Sequence, residues 1–398
     1  MKRFISIMLV LAMALSMASC GLPNGSEQPA ANNTHSDTAV EAKDYTVDEL
    51  LSEMKIGWNL GNTLDAPEGE TAWGQPVTTH EMIDKLKELG FNTLRIPTSW
   101  GLHTSGAPDY VIDEDWMSRV EEVVNYALDN DMFVILNSHH DNDFYYPSKE
   151  HEEETYNFIE KLWTQIAEHF KDYDQHLIFQ SMNEPRLTGT QYEWWIDYSN
   201  QDCLDALEII SNCNQRFVDV VRASGGRNED RFLMCGVYCG SAYYSLEDPY
   251  KLPDDSADGK LLMSVHAYTP YDFAMNGDRM DINTFDAQCR SSIDDFINKQ
   301  YEKYGKNGIG VIIDEMGVTN KSNPYDRQDW ATYYVAKAKS MNQVCVWWDN
   351  SNTVPGSEAF GLFDRERLEI YSESKSVYDG LMAGLETPLD EIVSSRPE

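Results

Sequence analysis

LIFQSMNEP, residues 177–185, is a short apolar run that ends in an amide, a carboxylate and a proline. Its β-branched and aromatic residues predict a strand, and its chemistry-bearing groups sit at the C-terminal end of that strand. The pattern recurs along the chain. Strands are expected at 56–62, 93–98, 133–139, 177–183, 232–238, 261–268, 311–315 and 344–348. Asn59 and Asn62 fall at the C-terminal end of the first, Arg95 in the second, and His139 and His140 at the end of the third. Asn183 and Glu184 end the fourth, His266 and Tyr268 the sixth, Glu315 the seventh and Trp348 the eighth. Seven of eight strands ending in polar or flat aromatic groups is a pattern that chance does not explain.

Between these runs lie amphipathic stretches at 81–89, 115–128, 152–170, 204–223, 285–304 and 328–341. Leu204, Leu207, Ile210 and Phe217 show the three-to-four residue spacing of a helix with one buried face. Strands that alternate with helices predict right-handed parallel βα units. Eight such units close as a single (β/α)8 barrel, which collects active-site groups at the C-terminal rim of its strands. A doubly wound sheet is the alternative, but no glycine-rich phosphate turn follows the first strand.

Composition narrows the function. The 398 residues carry 67 acidic and 31 basic side chains, a net charge of −36. No basic face is available to neutralise phosphates, so nucleic acid is excluded as a partner, and adhesion to an anionic membrane is disfavoured. With 41% hydrophobic and 12% aromatic residues the chain can still build a large core. Residues 1–19 read as an export signal: Lys2 and Arg3 precede a short apolar run with a small-residue exit. Cys20, behind those small residues, resembles a bacterial lipoprotein cleavage box, where it would carry the lipid anchor; plain secretion is the alternative. Residues 20–43 read as a flexible linker, 44–385 as one catalytic domain and 386–398 as a tail. The cysteines lack paired zinc-ligand spacing, and Cys235 and Cys345 lie in apolar runs as buried thiols.

Two carboxylates stand out, Glu184 and Glu315, on strands that can face one another across a barrel mouth. Paired Glu side chains in a cleft are the minimum equipment for cleaving a glycosidic bond: one protonates the leaving oxygen, the other attacks the anomeric carbon. With these come Gly57-Trp58-Asn59-Leu60-Gly61-Asn62-Thr63-Leu64-Asp65, Arg95-Ile96-Pro97, Asn137-Ser138-His139-His140, His266-Ala267-Tyr268 and Trp347-Trp348-Asp349-Asn350. Taken in this order over about residues 45–385, these motifs resemble glycoside hydrolase family 5, in its clostridial and rumen endoglucanase branch.

The resemblance implies a retaining endo-β-1,4-glucanase. It implies Glu184 as acid/base and Glu315 as nucleophile, Asn183 on the sugar 2-hydroxyl, and Arg95 and Tyr268 bonded to Glu315. It places His266 near the acid/base, His139 near the −1 sugar as the more regular histidine of the pair with His140 also toward substrate, Trp348 as the stacking floor, and Asn62 and Asp65 on more distant glucose hydroxyls. A carboxylic acid that starts protonated should have a raised pKa, and a nucleophile beside Arg95 a lowered one. Xyloglucan, mixed-linkage glucan and mannan remain alternative substrates, and a non-catalytic glycan-binding lipoprotein is the rival from another class. No cofactor and no metal are expected, because neighbouring strand residues such as His139 and His140 point to opposite faces. Asp141 and Asp143 give only a partial calcium-loop pattern, without its glycine and distal glutamate. Trp194, Trp195 and Trp330 suit either a glucan groove or packing, while Trp163 reads as core. A monomer, exported and either secreted or tethered, completes the expectation. One departure stands: Asp314 and Met316 flank the expected nucleophile where the family usually has a small residue and Phe or Trp. Strand alternation should point Asp314 away from Glu315.

Overall fold

A computed structural model describes residues 44–247 and 249–395; the leader and linker readings for residues 1–43 lie outside them. Eight parallel strands form one closed barrel: β1 (Gly57–Asn59), β2 (Thr93–Ile96), β3 (Phe133–Asn137), β4 (Leu177–Gln180), β5 (Leu233–Cys235), β6 (Leu261–His266), β7 (Gly310–Met316) and β8 (Gln343–Trp347). Pairing of Gly57 with Val346 closes the ring between β1 and β8. This seam is also tied by side chains. Trp58 donates its indole N–H to the buried Asp349 carboxylate at 2.8 Å, so the first and last motifs of the sequence meet.

The helices that cover the barrel follow the periodicity. His80–Glu88, Gln201–Ala223 and Ala287–Lys303 start at Thr79, Asn200 and Asp286, whose side chains accept from free N–H groups of the first turn. Among its described residues, the segment after β5 carries short 3-10 turns, Tyr238–Gly240 and Tyr244–Leu246, in place of a helix. At the other end of the chain, Ser394 and the Ser395 N–H bond Asp329 of the helix Pro324–Ser340, at 2.5 and 2.6 Å.

Two apolar clusters divide the interior. Phe133, Ile135, Ile178, Met234, Ile312 and Val346 point into the lower barrel and pack on Leu50, Leu51 and Met54, which plug its base from the helix Val47–Glu53. The outward residues of the same strands, such as Val134, Phe179 and Ile313, pack with the helices. Continuing the inward parity upward gives Asn59, Arg95, Gln180, Ser264 and Asp314, all fully buried. The barrel therefore changes from apolar to polar partway up, below the rim.

Alternation fails at one place. Val265 pairs with Ile313, but His266 pairs with Glu315, so Asp314 is the extra residue of a β-bulge. The expectation that Asp314 points away from Glu315 is thus corrected: both carboxylates turn into the barrel mouth.

Candidate active site

Arg95 is the hub of the rim. With no exposed surface, its guanidinium donates through Nε to Gln180 at 2.9 Å and through Nη1 to Asn59 at 2.9 Å and Glu315 at 2.8 Å. Nη2 donates to the Asn183 side-chain oxygen at 2.7 Å, and Nε lies 3.3 Å from Asp314. A planar fork engaged on every edge fixes its partners as well as itself. Because Arg95 takes the Asn183 oxygen, the Asn183 amide is oriented with its NH2 group free to donate elsewhere. Asn59 is locked in turn by donating to the carbonyls of Asp314 and Trp347 at 2.9 and 3.1 Å.

Glu315 also accepts from the Tyr268 hydroxyl at 3.0 Å. Glu184, 20% exposed, faces His266 Nδ1 at 2.7 Å, and Arg186 Nη1 lies 3.5 Å from its other oxygen. His266 Nδ1 is also 3.6 Å from Glu315, and Nε2 is 3.6 Å from Asp314. An oxygen of Glu184 and one of Glu315 lie within 4.8 Å of each other, with the imidazole between them. The imidazole is pressed into place by the turn after β5: Gly240, at φ +60°, would put a Cβ 2.9 Å from the ring if it had one.

The electrostatics correct an expectation. Burial alone would lower the His266 pKa, but Glu315, Asp314 and Glu184 reverse this and raise it to about 10. Burial raises Glu184, yet its bond to His266, that charge and Arg186 leave it below the ordinary value. Burial pushes Glu315 above the ordinary value, with Glu184 and Asp314 adding to the rise and His266 and Arg95 opposing it. Both directions favour a proton on His266 over one on Glu184. For Asp314, burial is outweighed by Arg95, His266 and Ser264, so its carboxylate is held below its usual range.

The remaining predicted residues divide. His139 is buried, accepts at Nδ1 from the Asn137 NH2 group at 3.1 Å, and stacks parallel to Trp348 at 5.7 Å. Burial and neighbouring cations push its pKa well below the ordinary value, so it is neutral. His140 faces the same cleft, contrary to the alternation argument, because β3 ends at Asn137 and the two histidines lie on the loop beyond it. Nitrogens of both histidines and an Asp65 oxygen lie within 4.8 Å. That carboxylate, however, is already taken by the Thr63 and Asn62 N–H groups at 2.6 and 3.1 Å. Asp65 is fully buried inside this turn, where Asn62 adopts φ +59°, so Asp65 shapes the loop and does not reach a glucose hydroxyl. Asp141 is used similarly, by Trp100, Gly101 and Ser138, which accounts for it without calcium. Trp348 rests on Gly61, where a Cβ would lie 3.0 Å from the indole and 2.7 Å from the Asp349 carbonyl.

A cavity of about 430 Å³ is lined by both glutamates, both histidines, Asn183, His266, Tyr268 and Trp348. Sequence reading missed Arg186, Tyr243, Glu358 and Phe360 on its wall, which lie on loops without periodic signal, and Tyr271, which opens the one-turn helix Tyr271–Ala274. It also missed Gln180, although a glutamine within an apolar strand was a usable signal. Trp194 lines the cavity with its ring under the Arg186 guanidinium at 4.3 Å, and Trp73 stands 5.3 Å from His140. Trp330 and Trp163 are core. Trp195 is exposed, outside the cavity lining.

Residues 59–354 match the family described as "Cellulase (glycosyl hydrolase family 5)". Endoglucanase B of Clostridium cellulovorans is 42% identical over 82% of this chain and 73% of its own length. A broad specificity endoglucanase from Ruminococcus champanellensis, solved with bound cellotriose, superposes with a TM-score of 0.80 at 42% identity. That match covers 86% of this chain and 99% of the other. A lichenase from Caldicellulosiruptor sp. F32 reaches a TM-score of 0.82 at 40% identity, over 87% and 96% of the two chains.

Proposed function

The chain belongs to glycosyl hydrolase family 5, the cellulases, and from that premise we propose that it is a retaining endo-β-1,4-glucanase. One observation carries the reading: two carboxylates with oxygens within 4.8 Å of each other, held by different partners across one barrel mouth. Retaining enzymes place their carboxyl groups ~5–5.5 Å apart, whereas inverting enzymes leave room for a water.

Glu315 attacks the anomeric carbon while the bond to the leaving oxygen breaks. That oxygen takes a proton from Glu184, which draws it from His266 along their 2.7 Å contact. The Glu315 ester is then cleaved by water, which returns its proton to Glu184, and the free carboxylate is restored. Arg95 and Tyr268 hold Glu315 with one oxygen each, which fixes the angle of attack. The Asn183 NH2 group donates to the 2-hydroxyl, a bond that strengthens as positive charge grows on the ring. Trp348 supplies the apolar floor for the pyranose face. Asn62, on the turn after β1, serves a more distant hydroxyl. Trp194 on the cavity wall and Trp73 beside His140 offer further aromatic faces for neighbouring sugar units of a chain cleaved internally.

Mixed-linkage β-glucan is a second substrate on this reading, favoured by the likeness to a lichenase. Glu315→Gln should abolish release of reducing sugar from soluble cellulose derivatives, and fresh product followed by NMR should keep the β configuration. Full turnover by the variant, or an α product, would sink the proposal. Rates on cellulose, mixed-linkage glucan, xyloglucan and mannan settle the preference. We also propose export of a monomer with lipid on Cys20, supported by the basic start, apolar run and small-residue exit of residues 1–19. Cys20→Ala should move the protein from the membrane fraction to the medium, and size-exclusion chromatography should give one protomer.

A further inference from the structure

Asp314 has no part in the chemistry above, and it stands where the family usually has a small residue. Asp314 is left unpaired by the bulge in β7, and its inward parity with Ile312 sets its carboxylate beneath the site. It is fully buried and held by Gln180 Nε2 at 2.6 Å, Ser264 Oγ at 2.9 Å and Arg95 Nε at 3.3 Å. Below the imidazole it lies 3.6 Å from His266 Nε2, which among the described residues finds no hydrogen-bond partner. A buried N–H of this kind is satisfied by charge or not at all.

We propose that Asp314 is a positioning residue for the proton: acting through His266, it keeps the Glu184–His266 pair charged with its proton into the alkaline range. The inference rests on Glu184 being the acid/base. Every charged or titratable group around the imidazole bears on it. Glu184 on the β4 loop and Glu315 on β7 face Nδ1, and Asp314 faces Nε2. Arg95 from β2, the neutral His139 after β3 with His140 beside it, Arg186 beside Glu184, Tyr268 beyond the end of β6 and the half-buried Cys239 thiol also stand around this pair. Arg95 is already shared between Asp314 and Glu315. With Asp314 present, the negative charge around the imidazole exceeds what Arg95 balances, and His266 answers by retaining a proton. The raised His266 pKa, to about 10, agrees with this count. The same negative charge opposes ionisation of Glu315. Asp314 therefore moves both limbs of the pH–rate profile upward: the acid limb, where Glu315 must lose its proton, and the alkaline limb, where the pair loses its last one.

The test is the pH dependence of kcat/KM on soluble cellulose derivative for the intact chain, Asp314→Asn and Asp314→Ala, with Glu184→Gln alongside. Both Asp314 variants should shift the whole bell to lower pH by about one unit, roughly a tenfold loss on the wild-type alkaline shoulder, with a peak rate within a few-fold of wild type. Limbs that stay in place while the rate falls evenly, or a profile that does not change, overturn the proposal. If neither variant folds, NMR titration of 13Cε1-labelled His266 in the wild-type chain decides, assigned by its loss in His266→Asn. An imidazole still protonated above pH ~8 upholds the proposal, and one that titrates near the ordinary value of about 6.5 overturns it. Full glucan turnover by Glu184→Gln would instead show that the acid/base assignment had failed, a separate outcome.

Discussion

Glu184 and Glu315 are the same side chain at two strand ends, and their surroundings differ in kind. Glu315 is 7% exposed and clamped by a cation and a hydroxyl that sit on two other elements, the Arg95 strand and the end of β6. Glu184 is 20% exposed, with one imidazole at 2.7 Å and a looser arginine. The difference teaches that role follows the neighbours. A nucleophile needs fixed geometry, and a proton donor needs a partner that can hold and return the proton.

The most direct way to break that contrast is to remove each carboxylate. Glu315→Gln should lose ~10⁴-fold or more in kcat on every β-glucan and aryl glycoside, with an unchanged melting temperature, since no covalent intermediate can form. Glu184→Gln should lose ~10²–10⁴-fold on glucan but far less on an aryl cellobioside with a strongly acidic leaving group, which needs no protonation. Equal losses on both substrates would erase the distinction between the two sites.

Smaller changes sharpen it. Arg95→Met should cost about 3–5 kcal/mol of stability, seen in denaturant titration, because it strands the buried Asp314 and Glu315 charges together. Tyr268→Phe should lower kcat/KM roughly tenfold and move the acid limb to higher pH, because a donor to the ionised form of Glu315 is lost. Least of all, Trp73→Ala should raise KM a few-fold with little change in kcat, a loss of about 1 kcal/mol of stacking remote from the reacting bond.

The same site also predicts a stability profile. The His266 pKa is raised on folding, so its contribution is complete below the unfolded value of about 6.5 and is lost as pH rises through about 10. The melting temperature should fall over that window, and His266→Asn should flatten the fall.

Much of the architecture was legible beforehand. Short β-branched runs separated by helical periodicity led to the barrel, and polar strand ends marked its rim, because both signals are local. Boundaries were less so: the first strand stops at Asn59, not Asn62, since the left-handed backbone at Asn62 begins a turn. The helical spacing of Leu204, Leu207, Ile210 and Phe217, by contrast, translated directly: the last three lie on a buried helix face and Leu204 is half-buried at its start.

What the chain determined by itself was the set of reactive groups and the surface they share, since a closed parallel barrel gathers its strand ends at one rim whatever the loops do. What only the tertiary structure decided was how those groups face one another. The bulge at Asp314 depends on register with β6, and the burial of Asp65 depends on a turn closed by its own carboxylate. The charge on His266 depends on three carboxylates from two other strand ends. These are sums over distant neighbours, and periodicity along one strand carries no record of them.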